Sequence, residues 1–401
     1  MKILHVTDRL PGYHKSWGGA EKTCQTIIKY FYNSGKHESV AATTPFDKGQ
    51  ASDIVIPVRT MANLLGFRLP FDPLVYWQMR KLLKQVRPDI IHLHRFTHLS
   101  FAVVSAAKKQ NIPVVMSIYD YWLVCPNETL VKRDESNCIA FQGLRCLGCL
   151  RTKNPLKMIF LMFRRLIFRH YIKMIDVFIV LSAASRDLVI SYGIPKERIA
   201  VLPLSYESVE NEAEGPVQAR NILLIGWVQQ RKGQLVLLAA MPEVMKKYAD
   251  VKLWLIGQVV DNDYQKRIVR FISENDLSGN VEFLGRLSDT DFKQVFSQAG
   301  IIAVPEQWQN MSPVIILEAM AKGKLVLASR IGGIPEMIRD AENGLLAPPE
   351  SPEEFAKKII WSFENADKVE KIKARARQDV IEHYDGNKNR AKLEVIYEST
   401  I

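Results

Sequence analysis

Short unbroken runs of Val, Ile and Leu alternate with longer stretches whose apolar positions recur every three or four residues, and the alternation continues through both halves of the chain. The first half predicts strands at 3–7, 40–43, 90–93, 114–117, 177–181 and 199–202; the second predicts them at 222–225, 252–256, 281–284, 301–304, 325–328 and 344–346. Strands that are apolar throughout, with helical stretches between them, belong to parallel sheets covered on both faces, so the fold class is α/β. The segment 206–220 breaks the pattern: it carries Glu207, Glu210, Glu212 and Glu214 with little apolar content and reads as an interdomain linker. Amphipathic helices close the chain from about 352 onward, and no repeat of fixed period exists beyond the twofold α/β recurrence. At 401 residues the chain exceeds what one core organises, which also favours two domains.

In such sheets ligands sit beyond the carboxyl ends of the strands, so the loops there are where chemistry is expected. After the first strand comes a loop ending in Gly18-Gly19-Ala20-Glu21, where free amides at a helix start can face an anion; an ordinary helix start is the alternative. After 222–225 comes GWVQQRKG, with Arg231 and Lys232 between strand and helix. After 301–304 a turn leads to Pro313, suited to the first turn of a helix whose apolar face is Ile316, Leu317 and Met320, with Glu318 in its first two turns. His94 and the pair Tyr119-Asp120 end two strands of the first half.

The segments WGGAEK, IGWVQQRKG, SPVIILEAMAKG, LVLASRIGGIPE and NGLLAP, in this order, resemble the retaining, nucleotide-sugar-dependent glycosyltransferases of family 4 (glycosyl transferases group 1). The resemblance implies the GT-B fold, two Rossmann-like doubly wound parallel-sheet domains facing a central cleft. Residues 1–205 would bind the acceptor, 206–220 link, 221–384 bind the nucleotide sugar, and a helix at 385–401 cross back to the first domain. It implies transfer of a sugar from a nucleotide-diphosphate donor to a hydroxyl of a sugar or lipid-linked acceptor, in making cell-surface polysaccharide or glycolipid. Lys232 and Arg231 would pair with the diphosphate, Glu318 would hold the ribose, and Gly18, Gly19, Asn310, Ser312, Pro313 and Val314 would line the donor. Asp120, with His94 and Tyr119 on the acceptor side, would flank the sugar being transferred.

Three positions depart from the family. Trp227 stands where it has Arg, Tyr119 where it commonly has His, and Asn310 where it has the first of two carboxylates eight residues apart; Glu306 is too far upstream for that spacing. An amide cannot carry negative charge beside an oxocarbenium-like centre. The departures keep a second reading open, a catalytically degenerate GT-B sugar- or lipid-binding subunit, and behind it an epimerase of the same fold.

A net charge of +11 favours an anionic partner, but no aromatic-basic stacking face or nucleic-acid motif occurs, so nucleic acid is excluded. The start MKILHVTD turns polar at once and no apolar run nears ~20 residues, which predicts a cytoplasmic protein. The segment 151–173 holds Arg151, Lys153, Lys157, Arg164, Arg165, Arg169 and Lys173 and no acid. Its apolar side (Met158, Ile159, Phe160, Phe163, Leu166, Ile167) is either core or a surface for an anionic membrane on the inner face. Cys125, Cys138, Cys146 and Cys149 crowd one loop, and in a reducing compartment they form either a structural zinc site or four unligated thiols. Asp261-Asn262-Asp263 reads as an exposed turn, so no metal or other cofactor is expected in the chemistry.

Overall fold

The computed structural model describes residues 1–48, 52, 54–62, 69–138, 143–150, 155–206 and 218–401. The chain divides into two compact units. Unit 1 is Met1–Arg133, Cys138–Pro203 and Asn389–Ile401; unit 2 is Asp134–Asn137 and Leu204–Lys388. Residues 207–217, most of the expected linker, lie outside the described residues. Gln218 to Arg220 belong to a strand rather than to the linker.

Unit 1 is built on seven parallel strands: β1 (Lys2–Val6), β2 (Glu38–Thr43), β3 (Val55–Pro57), β4 (Ile90–Leu93), β5 (Val114–Ile118), β6 (Val177–Val180) and β7 (Ile199–Val201). Their order is β3-β2-β1-β4-β5-β6-β7, so the sheet grows one way from β1 and then the other, leaving a switch point between β1 and β4. Ile3, Ile90, Val115 and Ile179 from four of these strands pack with Phe31 against Leu393 and Tyr397 of the closing helix, Gly386–Glu398. That helix is further tied to unit 1 where Glu394 accepts hydrogen bonds from Lys36 and His37.

Unit 2 repeats the plan with six parallel strands: β8 (Gln218–Ile225), β9 (Lys252–Ile256), β10 (Val281–Gly285), β11 (Ala299–Val304), β12 (Leu325–Ser329) and β13 (Leu345–Ala347). The order β10-β9-β8-β11-β12-β13 puts its switch point between β8 and β11. One face is sealed by Leu237, Leu238 and Met241 of the helix Gln234–Lys247 and by Phe355 and Ile359 of the helix Pro352–Glu364. Asp261-Asn262-Asp263 is exposed, as expected, but it is a helix start rather than a turn. Asp261 caps the helix Asn262–Glu274 by accepting from the Tyr264 amide (3.0 Å), the ordinary use of a short carboxylate at a helix start.

No helix among the described residues is long and apolar enough to cross a membrane. The helix Pro155–Ile172 buries Leu161, Arg164, Phe168 and Ile172, a stripe of period 3 to 4, and turns Met158, Ile159, Met162, Phe163 and Leu166 to solvent. The core alternative for its apolar side therefore fails at Met158, Ile159, Phe163 and Leu166. Arg164 is not a surface cation either: its guanidinium donates to the carbonyls of Leu123 and Trp122 and lies over the Phe168 ring. Arg151 and Lys153 fall outside the described residues.

Candidate functional site

Both loops that leave the switch point of unit 2 turn back toward each other. After β8, Gly226 leads into a short 3-10 turn, Gln230–Lys232, closed by Gly233 in the left-handed region (φ 72°). A Cβ at Gly233 would lie 1.8 Å from the Pro305 carbonyl oxygen, so only glycine lets the two loops touch. The Gln307 amide completes the join by donating to the Arg231 carbonyl (2.8 Å).

That closure carries the Lys232 ammonium to the Glu306 carboxylate, with Nζ to Oε1 at 2.5 Å. The carboxylate is almost entirely buried, and its other oxygen accepts from the Trp308 indole Nε1 at 2.5 Å. Asn310 Nδ2 donates to the lysine-bound oxygen (3.1 Å), while Asn310 Oδ1 accepts from the Ser312 amide (3.2 Å). Arg231 lays its guanidinium over the Trp308 ring, 4.3 Å from the centroid. Lys232, Arg231, Asn310 and Ser312 thus form one connected cluster, joined by two residues absent from the expected set, Glu306 and Trp308.

The backbone on the other side is equally constrained. The Asn310 carbonyl accepts from the Gly333 amide (2.8 Å), and a Cβ at Gly332 (φ 60°) would come within 2.3 Å of that carbonyl. Pro313 is the N-cap, one residue outside the helix Val314–Ala321, and not part of its first turn. The Ser312 amide is taken by Asn310, which leaves Val314 as the first helical amide of the expected trio. Glu318 is the fifth residue of that helix and half-buried.

In unit 1, His94, Tyr119 and Asp120 line one crevice together with Arg95 and Trp122. Asp120 accepts from the Trp122 amide (2.8 Å) and stands 3.8 Å from Arg95 Nε, while Arg95 Nη2 donates to Glu128 (2.7 Å). Burial pushes the Asp120 carboxyl up to about 6; Arg95 opposes the shift, and Glu128 and Glu21 add to it. Gly18 precedes the helix Gly19–Asn33, and its amide is taken by the Glu21 carboxylate (2.9 Å), so that donor faces a side chain rather than an external anion.

His94 belongs to a ladder that spacing alone does not disclose. His5 on β1 pairs in register with His92 on β4, and the alternation of side chains puts His94 on the same face as His92. His94 bonds His5 (3.0 Å) and Tyr119 (3.1 Å); His92 bonds Tyr397 (2.6 Å) and Ser117 (2.8 Å). Burial lowers all three imidazoles, His5 to about 3, and raises the Tyr119 phenol. The ladder is a neutral hydrogen-bonded core under the crevice.

Among the described residues, no set of three ligand atoms within 4.8 Å of one another includes a cysteine sulfur. Burial raises the Cys125 thiol, which faces the amides of Leu130, Asn127 and Thr129. Cys146 is buried in the 3-10 turn Gly143–Gly148.

Comparison with known proteins fits this geometry. The model of glycosyltransferase family 4 matches residues 17–206 and that of glycosyl transferases group 1 matches 208–379. A phosphatidyl-myo-inositol mannosyltransferase of Mycolicibacterium smegmatis is 26% identical over 185 residues, 46% of this chain and 46% of that protein. The match therefore spans about half the length of such curated relatives. Among solved structures, Anabaena Alr3699/HepE in complex with UDP is similar over 100% of both chains, with a TM-score of 0.72 at 18% identity. The apo form of the lipopolysaccharide outer core galactosyltransferase WaaB is similar over 100% of both chains, with a TM-score of 0.67 at 16% identity. Two tandem family matches across nearly the whole length, on two sheets of Rossmann strand order, place the chain in glycosyltransferase family 4, group 1, with the GT-B fold.

Proposed function

We propose that the chain moves a sugar from a nucleoside diphosphate donor to a hydroxyl of a sugar or lipid-linked acceptor, with retention at the anomeric carbon. The pathway would be the making of cell-surface polysaccharide or glycolipid at an anionic membrane surface. The observation that carries this reading is the Lys232 ammonium held at the switch point of unit 2, beside the glycine-dependent join of two loops. In the transfer, the bond from sugar C1 to the β-phosphate oxygen breaks and its electron pair leaves with the nucleoside diphosphate. The acceptor oxygen bonds C1, and its proton passes to the departing phosphate. Lys232 would meet the charge that grows on that phosphate, with Arg231 stacked close by, and a fixed cation does this without reorganisation. Glu318 would hold the ribose, and Asp120 would face the acceptor side. Structural neighbours solved with UDP and with UDP-glucose support a nucleotide-sugar donor.

The test is turnover of a panel of nucleotide sugars with anionic-lipid vesicles or short glycans as acceptors, reading the anomeric configuration of the product. Lys232→Ala is expected to lower turnover on the order of a hundredfold. Inversion at C1, or full activity in that variant, would overturn the mechanism. The departures at Trp227, Asn310 and Tyr119 favour one competing reading, a sugar- or lipid-binding subunit without catalysis. It predicts donor binding with neither transfer nor donor hydrolysis.

A further inference from the structure

At position 310 the family's carboxylate is missing, yet the cluster around Lys232 does not lack a carboxylate. Glu306 follows β11 by two residues; its amide donates back to the Val304 carbonyl (2.9 Å), a turn that points the side chain inward. Three donors converge on it: the Lys232 ammonium, the Trp308 indole and the Asn310 amide. We propose that Glu306 is the carboxylate of the donor site in this chain, exchanged in position with Asn310, and that it positions the Lys232 ammonium for the diphosphate. The inference rests on the proposed donor site and names the group that makes it work.

The exchange has a physical logic. A lysine ammonium is a compact charge on a flexible stem with three donors. One donor spent on a buried carboxylate fixes its place and leaves two for phosphate oxygens. With Glu306 in place, a second carboxylate at 310 would stand about 3 Å from the first, and like charges at that distance disfavour one another strongly. An amide at 310 avoids this: its Nδ2 donates to Glu306 while its Oδ1 holds the Ser312 amide at the approach to the helix Val314–Ala321. So Asn310 is not a lost residue. It is the partner that a carboxylate at 306 requires.

This makes restoration of the family's residue harmful unless Glu306 is removed as well. The experiment measures turnover and the dissociation constant of uridine and guanosine diphosphates for native protein, Glu306→Gln, Asn310→Glu, the pair E306Q/N310E, and the isosteric Asn310→Asp. The inference expects each single change to lower kcat by about tenfold or more. It expects the affinity of the better-bound nucleotide to stay within about threefold in Glu306→Gln, and the pair to recover most of native kcat. Thermal midpoints show whether each variant folds. If Glu306→Gln does not fold, the near-isosteric Asn310→Asp still decides, because it adds only charge. Native turnover in Glu306→Gln or Asn310→Asp, or a pair no better than the worse single variant, overturns the inference while leaving the donor site intact. A native protein that binds neither nucleotide overturns the donor site and this inference with it.

Discussion

Asp120 and the histidine ladder beneath it respond to acid in opposite senses. A carboxyl raised from its ordinary 3.8 to about 6 keeps its proton in the fold where the unfolded chain has lost it. Its contribution to stability is present below 3.8 and is lost as pH rises through about 6. His5, His92 and His94 are lowered from 6.5, so their contribution is present above 6.5 and is lost as pH falls below it. Acidification therefore protonates Asp120 and weakens the core under it over overlapping ranges. If the ionised Asp120 serves transfer, kcat falls on an acid limb centred near 6. Asp120→Asn should lower the rate and abolish that limb, yet keep the acid-induced fall in unfolding midpoint that belongs to the imidazoles. Paired pH profiles of kcat and of thermal unfolding check this. A limb of unchanged position in Asp120→Asn would assign it to another group.

The helix Pro155–Ile172 inverts the usual arrangement of a surface helix, because its solvent face is the apolar one. Met162, Phe163 and Leu166 are each more than half exposed, and Arg165 and Arg169 flank them. A face of this kind suits an anionic bilayer, where aliphatic and aromatic side chains enter the boundary and each cation adds about 1 kcal/mol. Vesicles rich in anionic lipid should sediment the protein at low salt. Replacing Arg165 and Arg169 by Gln should weaken partitioning roughly thirtyfold, and uncharged vesicles should retain little protein. Equal retention on charged and uncharged vesicles would remove the electrostatic part. The sequence discloses that this helix exists and is basic, but not which side faces the core, since apolar residues occupy nearly its whole circumference. The same distinction governs the rest of the fold. Twelve of the strands show as apolar runs, most of them because both faces of a parallel sheet are buried, although the edge strands β7 and β10 are partly or largely exposed, whereas β3, only Val55–Pro57, is too short to make one. Lys232 is legible because it sits at a fixed place in a loop between strand and helix. Glu306 is not, because a spacing rule counts residues back from Glu318 to Asn310, in the loop before the helix Val314–Ala321, and knows nothing of a tight turn that folds a residue back from the strand end. His5 and His92 escape for a similar reason: strand register, a long-range property, brings them beneath His94.

At the scale of the molecule, the same strand order occurs in both units, and each has its own buried core. The chain visits them unequally, since unit 1 is completed by residues 389–401 from the far end of the sequence, with Tyr397 buried against His92. Duplicate folds do not imply duplicate tasks. The lysine–carboxylate cluster and the sterically obligatory glycines Gly233, Gly257 and Gly332 are in unit 2, while the crevice of unit 1 has a half-buried carboxyl over neutral imidazoles. A nucleoside diphosphate at a hundred times its dissociation constant stabilises the state that binds it by about 2.7 kcal/mol. Amides that exchange only when that unit opens should then slow by about a hundredfold. Hydrogen exchange read by peptide mass spectrometry, with and without uridine or guanosine diphosphate, should show this slowing in β8, β11 and β12. Added protection is expected in the loops 226–234, 305–314 and 330–334. The strands β1, β4 and β5 should exchange at unchanged rates, because the donor makes its main contacts elsewhere. Protection concentrated in those three strands instead would move the donor site to unit 1, and the roles argued for Lys232 and Glu306 would go with it.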